Sequence, residues 1–393
     1  MRFPEFRGEW EETTLGKISE ITKGSGISKD QLSEQGSPCI LYGELYTKYK
    51  SEIIGEVYSR TELDFSSLVK SKANDVIIPC SGETAIDIST ARCVPFNNIL
   101  LGGDLNIIRL KNDDGGFFAY QLNGVRKTDI ARVAQGVSVV HLYGENLKQI
   151  TVYHPAIEEQ KKITRLLSLI DERIATQNKI IEKLESLIKG LNDSLYDRYG
   201  DGIRTSFAEL GYSYSGLSGK SAGDFGNGKP FITYLNVYSN NVVNENDYQY
   251  VHIDEGEKQN VVQYGDVLFT LSSETPEEVG IGSVYLGQDE VYLNSFCFGI
   301  HIVNEELAYS PYISYYVSST PFRKFIYPFA QGSTRFNLCK ADFEKASITL
   351  PSLDNQKRIH SVLNSVAMKI STERAMLEQY VTQKQYLLRQ MFI

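Results

Sequence analysis

Several features that mark common protein classes are missing from this 393-residue sequence. It contains no run of eighteen apolar residues, so we expect no membrane-spanning helix. Its opening, Met1-Arg2-Phe3-Pro4, lacks the apolar core of a secretory signal, and none of its five cysteines forms a Cys-x-x-Cys pair. We therefore expect a cytoplasmic protein with reduced, mostly buried thiols. The five histidines are scattered as well, which argues against a metal site.

Catalytic motifs are also missing. Residues 216–221 end like a phosphate-binding loop, but the first glycine of that motif would fall on Tyr214. Asp224-Phe225-Gly226 matches the magnesium-binding tripeptide of kinases without the motifs that accompany it. The Pro-Asp dipeptide of many nucleases and the Asn/Asp-Pro-Pro-aromatic motif of amino-methyltransferases do not occur. The sequence therefore indicates a non-catalytic chain that binds no cofactor or metal of its own.

Basic residues are too few to balance the acidic ones, and the net charge is −9. The imbalance is uneven along the chain. Residues 201–350 carry 9 Lys and Arg against 18 Asp and Glu, whereas residues 351–393 carry 6 against 3. An acidic total weakens a DNA-binding hypothesis, and any surface that faces DNA would have to be local.

What the sequence does contain is an internal duplication. Residues 135–197 align without a gap onto residues 331–393, so that Pro155 falls on Pro351 and Gln160 on Gln356. Upstream of these segments, the pattern of residues 74–84 recurs at 265–275 and Tyr46 recurs as Tyr238. The repeat predicts two similar globular segments, called heads below, each followed by the same kind of helix.

Each copy ends in a predicted long helix with an apolar seam of heptad spacing. Pro155 and the acids Glu158 and Glu159 suit the start of the first helix, and Gly200 is its predicted stop. The seam consists of Ile163, Leu167, Ile170, Ile174, Gln177, Ile181, Leu184, Ile188, Leu191 and Leu195 in the first helix, and of Ile359, Leu363, Val366, Ile370, Glu373, Leu377, Tyr380, Leu387 and Met391 in the second.

The predicted fold class is α+β, with two similar mixed α/β heads joined by two long antiparallel helices in a coiled coil. The boundaries are 1–154 for the first head, 155–200 for the first helix, 201–350 for the second head and 351–393 for the second helix. Helices of this length reach about 60 Å, and a head is only about 40 Å wide. The second head follows one helix directly and precedes the other, so the helices should run antiparallel.

Two points of this arrangement stay open. Each helix could instead lie against its own head. Gln177 and Glu373 would meet near the helix midpoints, where a polar layer either sets the register or is a tolerated imperfection.

Inside the first head, short strands are predicted at 75–78, 99–101 and 105–108, and a helix is predicted over 117–133.

Matched polar loops in the two heads offer candidates for DNA contact. Arg and Lys could neutralise phosphates, while Gln, Asn, Arg, His and Glu side chains could contact base edges. For any one of them the alternative is an ordinary turn or capping residue with a solvated charge. Two heads on a stiff spacer suit a bipartite site. The candidates are Ser81, Glu83, Thr84, Arg126, Lys127, Arg132, Gln135, Ser138 and His141 in the first head, and Ser272, Glu274, Thr275, Arg323, Lys324, Gln331, Ser333, Thr334, Arg335 and Asn337 in the second.

The order of head, long helix, head and long helix resembles the specificity subunits of type I restriction–modification systems, the HsdS family. The resemblance is carried by the Arg-Phe-Pro-Glu-Phe opening, by the Gln-Gly loops, and by the Pro…Gln-Lys motif at 155–163 and 351–359. It covers essentially the whole chain. It implies two target recognition domains, each reading one half of a split site in double-stranded DNA, with the helices setting the gap.

The same resemblance implies partners. Two methyltransferase subunits and the restriction (translocase) subunits would dock on the chain. S-adenosylmethionine, ATP and Mg would be bound by those partners. The alternative hypothesis is a coiled-coil adaptor whose two heads bind proteins, and the acidic net charge favours it.

Overall fold

The computed structural model describes residues 2–64, 66–199 and 202–392. It divides into two compact units, Met1–Lys179 with Arg374–Ile393 and Ile180–Glu373. Both divisions fall inside a long helix, since the first runs over Ile157–Tyr199 and the second over Leu353–Gln390. The first helix begins two residues after Pro155, and its predicted stop, Gly200, lies outside the described residues. The four-part division into heads and helices stays a prediction.

The first head is built on a four-stranded antiparallel sheet. Its strand order is Ser19–Lys23, Leu105–Leu110, Asp75–Pro79 and Arg92–Val94. Val76 and Ile78 point into one hydrophobic cluster, while Ile77 points into another on the opposite face. Because the sheet is covered on both faces, its central strand is apolar without alternation, and this is why the sequence predicts it.

A second sheet of the first head has the order Leu32–Ser33, Ser59–Thr61, Ser37–Ile40 and Leu100–Leu101, with a parallel last pair. The predicted single helix over 117–133 is wrong in its continuity. Gly124 ends a first helix by donating its N–H to the Tyr120 carbonyl at 2.9 Å. The remaining elements are the strand pairs Glu11–Thr14 with Thr151–His154 and Ser81–Gly82 with Val140–His141, and the helices Leu15–Ile18, Lys29–Gln31 (3₁₀), Glu44–Thr47, Ala85–Ile88, Gly115–Asn123, Lys127–Val133 and Gly144–Lys148.

The second head repeats this topology. Its four-stranded sheet has the order Gly211–Ser215, Cys297–Ile302, Val267–Thr270 and Gly282–Val284. The pairing of Phe225–Ile232 with Tyr292–Leu293 is parallel, as in the first head. The remaining elements are the strands Ile203–Thr205, Tyr248–Val251, Ser272–Ser273, Ala330–Gln331, Phe336–Leu338 and Ile348–Leu350, and the helices Phe207–Leu210, Ala222–Asp224 (3₁₀), Tyr234–Ser239, Pro276–Glu278 (3₁₀), Ser310–Tyr316, Thr320–Ile326, Tyr327–Phe329 (3₁₀) and Lys340–Lys345.

One buried glutamine fixes the start of each long helix. Gln160 donates to the Pro155 carbonyl at 2.9 Å, and its side-chain oxygen accepts from the backbone N–H of Asp114 at 2.9 Å. Gln356 does the same with the Pro351 carbonyl and the Tyr309 N–H, both at 2.8 Å. These bonds give the repeated Pro…Gln motif a structural role, because each glutamine ties the first helical turn to its own head.

All predicted seam residues are buried or half-buried in the structure. In the first unit, Leu387 and Met391 join Ile163, Leu167 and Ile170 in one cluster. In the second unit, Ile359 and Leu363 lie in a core that also packs against Ile188, Leu191 and Leu195. Each unit therefore buries apolar residues from both long helices.

Candidate nucleic-acid interface

In the second head, three short strands bring the two predicted polar segments together. Ser272–Ser273 pairs with Phe336–Leu338, which also pairs with Ala330–Gln331. The register sets Ser272 opposite Asn337, and Asn337 opposite Gln331. The loop between the last two strands contains Ser333, Thr334 and Arg335, all exposed. The strand pairing thus brings the two predicted segments together, but Ser272 itself is buried, so its predicted contact with DNA does not fit the structure.

The first head contains the same arrangement. Ser81–Gly82 pairs with Val140–His141, and Gln135 exchanges two backbone hydrogen bonds with His141, at 2.9 and 2.7 Å. Ser138 is exposed, and Val137 at the loop tip is 97% exposed. The ring of His141 stacks on Tyr143, with centroids 6.2 Å apart.

A glycine in the left-handed region shapes both loops. Gly136 has φ +123° and Gly332 has φ +144°. A Cβ added to Gly136 would lie 2.1 Å from the Val139 carbonyl oxygen, and one added to Gly332 would lie 2.1 Å from that of Arg335. Only glycine adopts this φ without strain and has no Cβ to clash with the carbonyl. The Gln-Gly motif therefore specifies the same turn geometry in both heads.

A groove of about 690 Å³ opens beside the loop of the second head, lined by Tyr234, Tyr238, Glu274, Glu278, Thr334 and Arg335 among others. The rings of Tyr234 and Tyr238 stack with centroids 6.0 Å apart. Tyr238 donates to Glu278 at 2.7 Å, and Ser273 donates to its other carboxylate oxygen at 3.1 Å. These hydrogen bonds, with one from Thr275, lower the pKa of Glu278 and keep it ionised.

Sequence reasoning did not select Tyr234, Glu278 or the exposed Phe296 as site residues. The recurrence of Tyr46 as Tyr238 in the duplicated sequence was the signal that could have pointed to this groove. In the first head, Tyr46 lies near the corresponding strand, since a Cβ on Gly82 would lie 3.9 Å from its hydroxyl.

The predicted basic residues have different surroundings. Arg323 donates to the carbonyls of Gly280, Glu277 and Val279 at 2.7 to 2.8 Å, so its guanidinium braces a loop. Burial lowers its pKa. Lys127 is half-buried, and burial followed by the charge of Arg92 lowers its pKa.

Three further predicted basic residues differ in their exposure. Arg126 is half-buried and packs over the Tyr153 ring, 5.0 Å from its centroid. Arg132 and Lys324 are exposed, and Arg132 pairs with Asp129 at 3.2 Å.

The predicted Glu and Thr residues lie beside the short strands. Glu83 and Glu274 are exposed. Thr84 caps the helix Ala85–Ile88 by accepting from the Asp87 N–H at 3.1 Å. Thr275 precedes the 3₁₀ turn Pro276–Glu278. The two threonines therefore have local structural roles, whereas both glutamates point into solvent.

Two further observations concern the part of the chain that the structure describes. It contains no group of His, Cys, Asp and Glu side chains that could hold a metal ion. None of its helices is long and apolar enough to cross a bilayer. The cysteines are free, and four of the five are buried, as predicted.

One family model matches the chain, the type I restriction modification DNA specificity domain, over residues 7–186 and again over 220–381. Two similar curated proteins come from Methanocaldococcus jannaschii. The type I restriction enzyme MjaVIII specificity subunit is 24% identical over 50% of this chain and 44% of its own length. The putative MjaX specificity subunit is 27% identical over 59% and 56%. The chain thus spans about half the length of these relatives.

Solved structures share the fold. The S subunit of the type I restriction–modification system of M. genitalium superposes with a TM-score of 0.61 at 15% identity, over 100% of this chain and 99% of that one. A chain from a study of complex assembly in the type I system gives a TM-score of 0.59 at 14% identity, over 98% of both chains.

Proposed function

The chain belongs to the type I restriction modification DNA specificity domain family, and from this premise we propose that it is the subunit that gives a type I restriction–modification complex its DNA sequence specificity. The observation that carries the proposal is the double family match, which coincides with two heads of the same topology. A duplicated reader suits a target of two separate half-sites.

Each head would read one half of a bipartite site in double-stranded DNA. The support is the pair of matched surfaces around Gly136 and Gly332, which have the same backbone geometry but different side chains. Equal geometry would place the two surfaces in the same relation to a duplex, while different side chains would select different bases. Because the second head is acidic, its binding to DNA would depend on local contacts made by its loop.

The two long helices would pair antiparallel as a coiled coil and set the gap between half-sites. In the first unit, Lys384 contacts Asp171, and Arg173 lies over the Tyr380 ring at 5.9 Å. In the second unit, Ile359 belongs to a core that packs against Leu191. In both units, residues near the start of one long helix contact or share a core with residues near the end of the other. This is the pattern of an antiparallel pair.

The chemistry would come from partner subunits in the cytoplasm. Two methyltransferase subunits would carry S-adenosylmethionine, and restriction (translocase) subunits would carry ATP and Mg. Large apolar side chains remain exposed on the long helices and offer area for docking; they include Leu169, Leu187, Val362, Met368 and Tyr386. This chain would be a non-catalytic subunit.

The test is to express the full chain with its methyltransferase subunits and to map methylated adenines across the host genome. The proposal expects one bipartite motif with a fixed gap, lost when this chain is omitted. DNA binding by the purified complex should weaken steeply as salt rises. An adaptor that binds proteins through its heads would give methylation independent of this chain and no sequence-dependent binding, and that result would overturn the proposal.

A further inference from the structure

In each head, the strand pair beside the loop that contains Gly136 or Gly332 determines which residues lie opposite each other. In the second head the register pairs Ser272 with Asn337 and Ser273 with Phe336, and the next two residues outward, beyond the strand ends, are Glu274 and Arg335. In the first head the register pairs His141 with Ser81 and Val140 with Gly82, and the next two residues outward, beyond the strand ends, are Val139 and Glu83. Both heads therefore have a glutamate at equivalent positions, but its partner in the pair is an arginine in the second head and a valine in the first.

The residues of this outer pair are exposed in both heads. Phe336 packs against the core of the second head, and its neighbours Arg335 and Asn337 are exposed. Val140 is buried in the core of the first head, and its neighbour Val139 is 53% exposed. Arg335 and Val139 thus lie at equivalent points, each just before a strand residue that packs into its own head, and both are exposed.

The side chain of Arg335 contacts an aromatic ring. Its guanidinium lies over the exposed ring of Phe296, 5.8 Å from the centroid. Among residues 202–392, no ion pair joins it to Glu274, although both line the same groove. An aromatic face restricts the guanidinium while leaving its donors available, which favours bidentate recognition over a loose charge contact.

Building on the proposed function, we propose that these opposed pairs each read one base pair in the major groove: Glu274 and Arg335 a C·G pair in one half-site, and Glu83 and Val139 an A·T pair in the other. Arginine donates two hydrogen bonds to guanine O6 and N7, and a carboxylate accepts from the cytosine amine. In the first head, Glu83 accepts from the adenine amine while Val139 contacts the thymine methyl.

Charge supports the assignment of the glutamates. A carboxylate close to a duplex is repelled by the phosphates, so an exposed glutamate beside each loop is tolerated only where a base amine satisfies it. A guanine or thymine in that position offers an acceptor and leaves the carboxylate unpaired, so the wrong base is rejected as well as the right one bound.

The experiment maps methylated adenines in cells that express the full chain with its methyltransferase subunits. Arg335→Val should reduce discrimination at one G position by about tenfold or more and leave the other half-site unchanged. Arg335→Lys keeps the charge but lacks the bidentate fork, so it should lose the same discrimination. Val139→Arg should replace the preferred base at one position of the opposite half-site. Arg204→Val, an exposed change in the strand Ile203–Thr205, is the matched control and should leave the motif intact.

The outcomes separate the inference from the proposed function. An unchanged motif in both Arg335 variants, or changes spread over both halves, would overturn the base-pair assignment while the specificity role stands. Full activity of Arg335→Lys beside loss in Arg335→Val would also overturn it, because that result identifies a phosphate contact. Absence of any motif that depends on the wild-type chain would overturn the proposed function and this inference together.

Discussion

Lys384 near the end of the second long helix lies 2.6 Å from Asp171 in the first long helix. The same ammonium group lies 2.6 Å from Glu52 of the first head, and Tyr120 donates to Asp171 at 2.7 Å. Burial, followed by the charge of Glu52, raises the pKa of Asp171 to about 6 although Lys384 opposes the shift. The first head and both long helices thus contribute charged groups to one buried site, where the charges of Glu52 and Asp171 also act on the buried Arg92.

The first prediction concerns the pH dependence of stability. Because the folded-state pKa of Asp171 is raised, the stabilisation from its protonated form is complete below about pH 4 and is lost as the pH rises through about 6. Relative to Asp171→Asn, the wild-type free energy of unfolding should fall by on the order of 2–3 kcal/mol between pH 4 and 7. Urea unfolding across that range measures it. Asp197→Asn, exposed on the same helix, is the control, and parallel curves for wild type and Asp171→Asn would contradict the prediction.

The second prediction concerns the glutamine at the start of the second long helix. Gln356→Ala leaves the buried Tyr309 N–H and the Pro351 carbonyl without their partners. The free energy of unfolding should drop by about 1–3 kcal/mol. Lys357→Ala at the neighbouring exposed position should stay within about 0.5 kcal/mol. Equal losses in the two variants would assign the effect to the helix as a whole.

The third prediction concerns the loop glycines. Gly332→Ala forces a side chain into a left-handed backbone conformation and against the Arg335 carbonyl. We expect a stability loss of about 1–3 kcal/mol and much weaker DNA binding by the assembled complex. Gly190→Ala, inside the first long helix and with nothing beyond the neighbouring helix backbone within 4 Å of the new Cβ, should raise stability by up to about 1 kcal/mol. Retained DNA affinity in Gly332→Ala would show that the loop does not contact the duplex.

The fourth prediction concerns the independence of the heads. Exchanging residues 1–150 for the corresponding head of another specificity subunit should change one half of the methylated motif and preserve the other half and the gap. The reason is that base contacts are local to each head. Methylation mapping gives the answer, and a change in both halves would indicate that the heads do not read separately.

The fifth prediction concerns the helices as a spacer. Seven residues, one heptad, inserted at matched points in both long helices should preserve the seam register and add about 10 Å of helix. The gap in the methylated motif should widen while both half-sites keep their sequences. Insertion in one helix alone puts the seams out of step and serves as the control, which should lose activity. Altered half-site sequences would refute the spacer role.

Local patterns in the sequence predicted the parts of the fold that depend on local chemistry. The seam was predicted because a heptad rhythm reports directly on one helix face, and Ile163 and Leu363 are buried as expected. The helix over 117–133 was predicted too long, since apolar spacing continues past Gly124 although the backbone turns there. Gly124 therefore ends the helix although the periodic apolar pattern continues beyond it.

The site was harder to predict because its parts are distant in sequence. Arg323 resembles a phosphate ligand in the sequence, yet its donors meet three backbone carbonyls that only the folded loop brings near. Phe296 carries no motif, and its contact with Arg335 arises from the tertiary structure. The loop glycines, by contrast, were visible in advance because the duplication repeated them.

The composition of the first unit has a consequence for biosynthesis. Phe392 packs on Trp10 and Phe117, with ring centroids 6.4 and 5.2 Å apart, so this core needs residues from both ends of the numbered sequence. The second unit, Ile180–Glu373, is one uninterrupted segment. On the ribosome, the later-made unit can therefore complete its core first. The earlier one completes its core only when the second long helix from Arg374 onward has emerged, and its apolar residues stay uncovered until then.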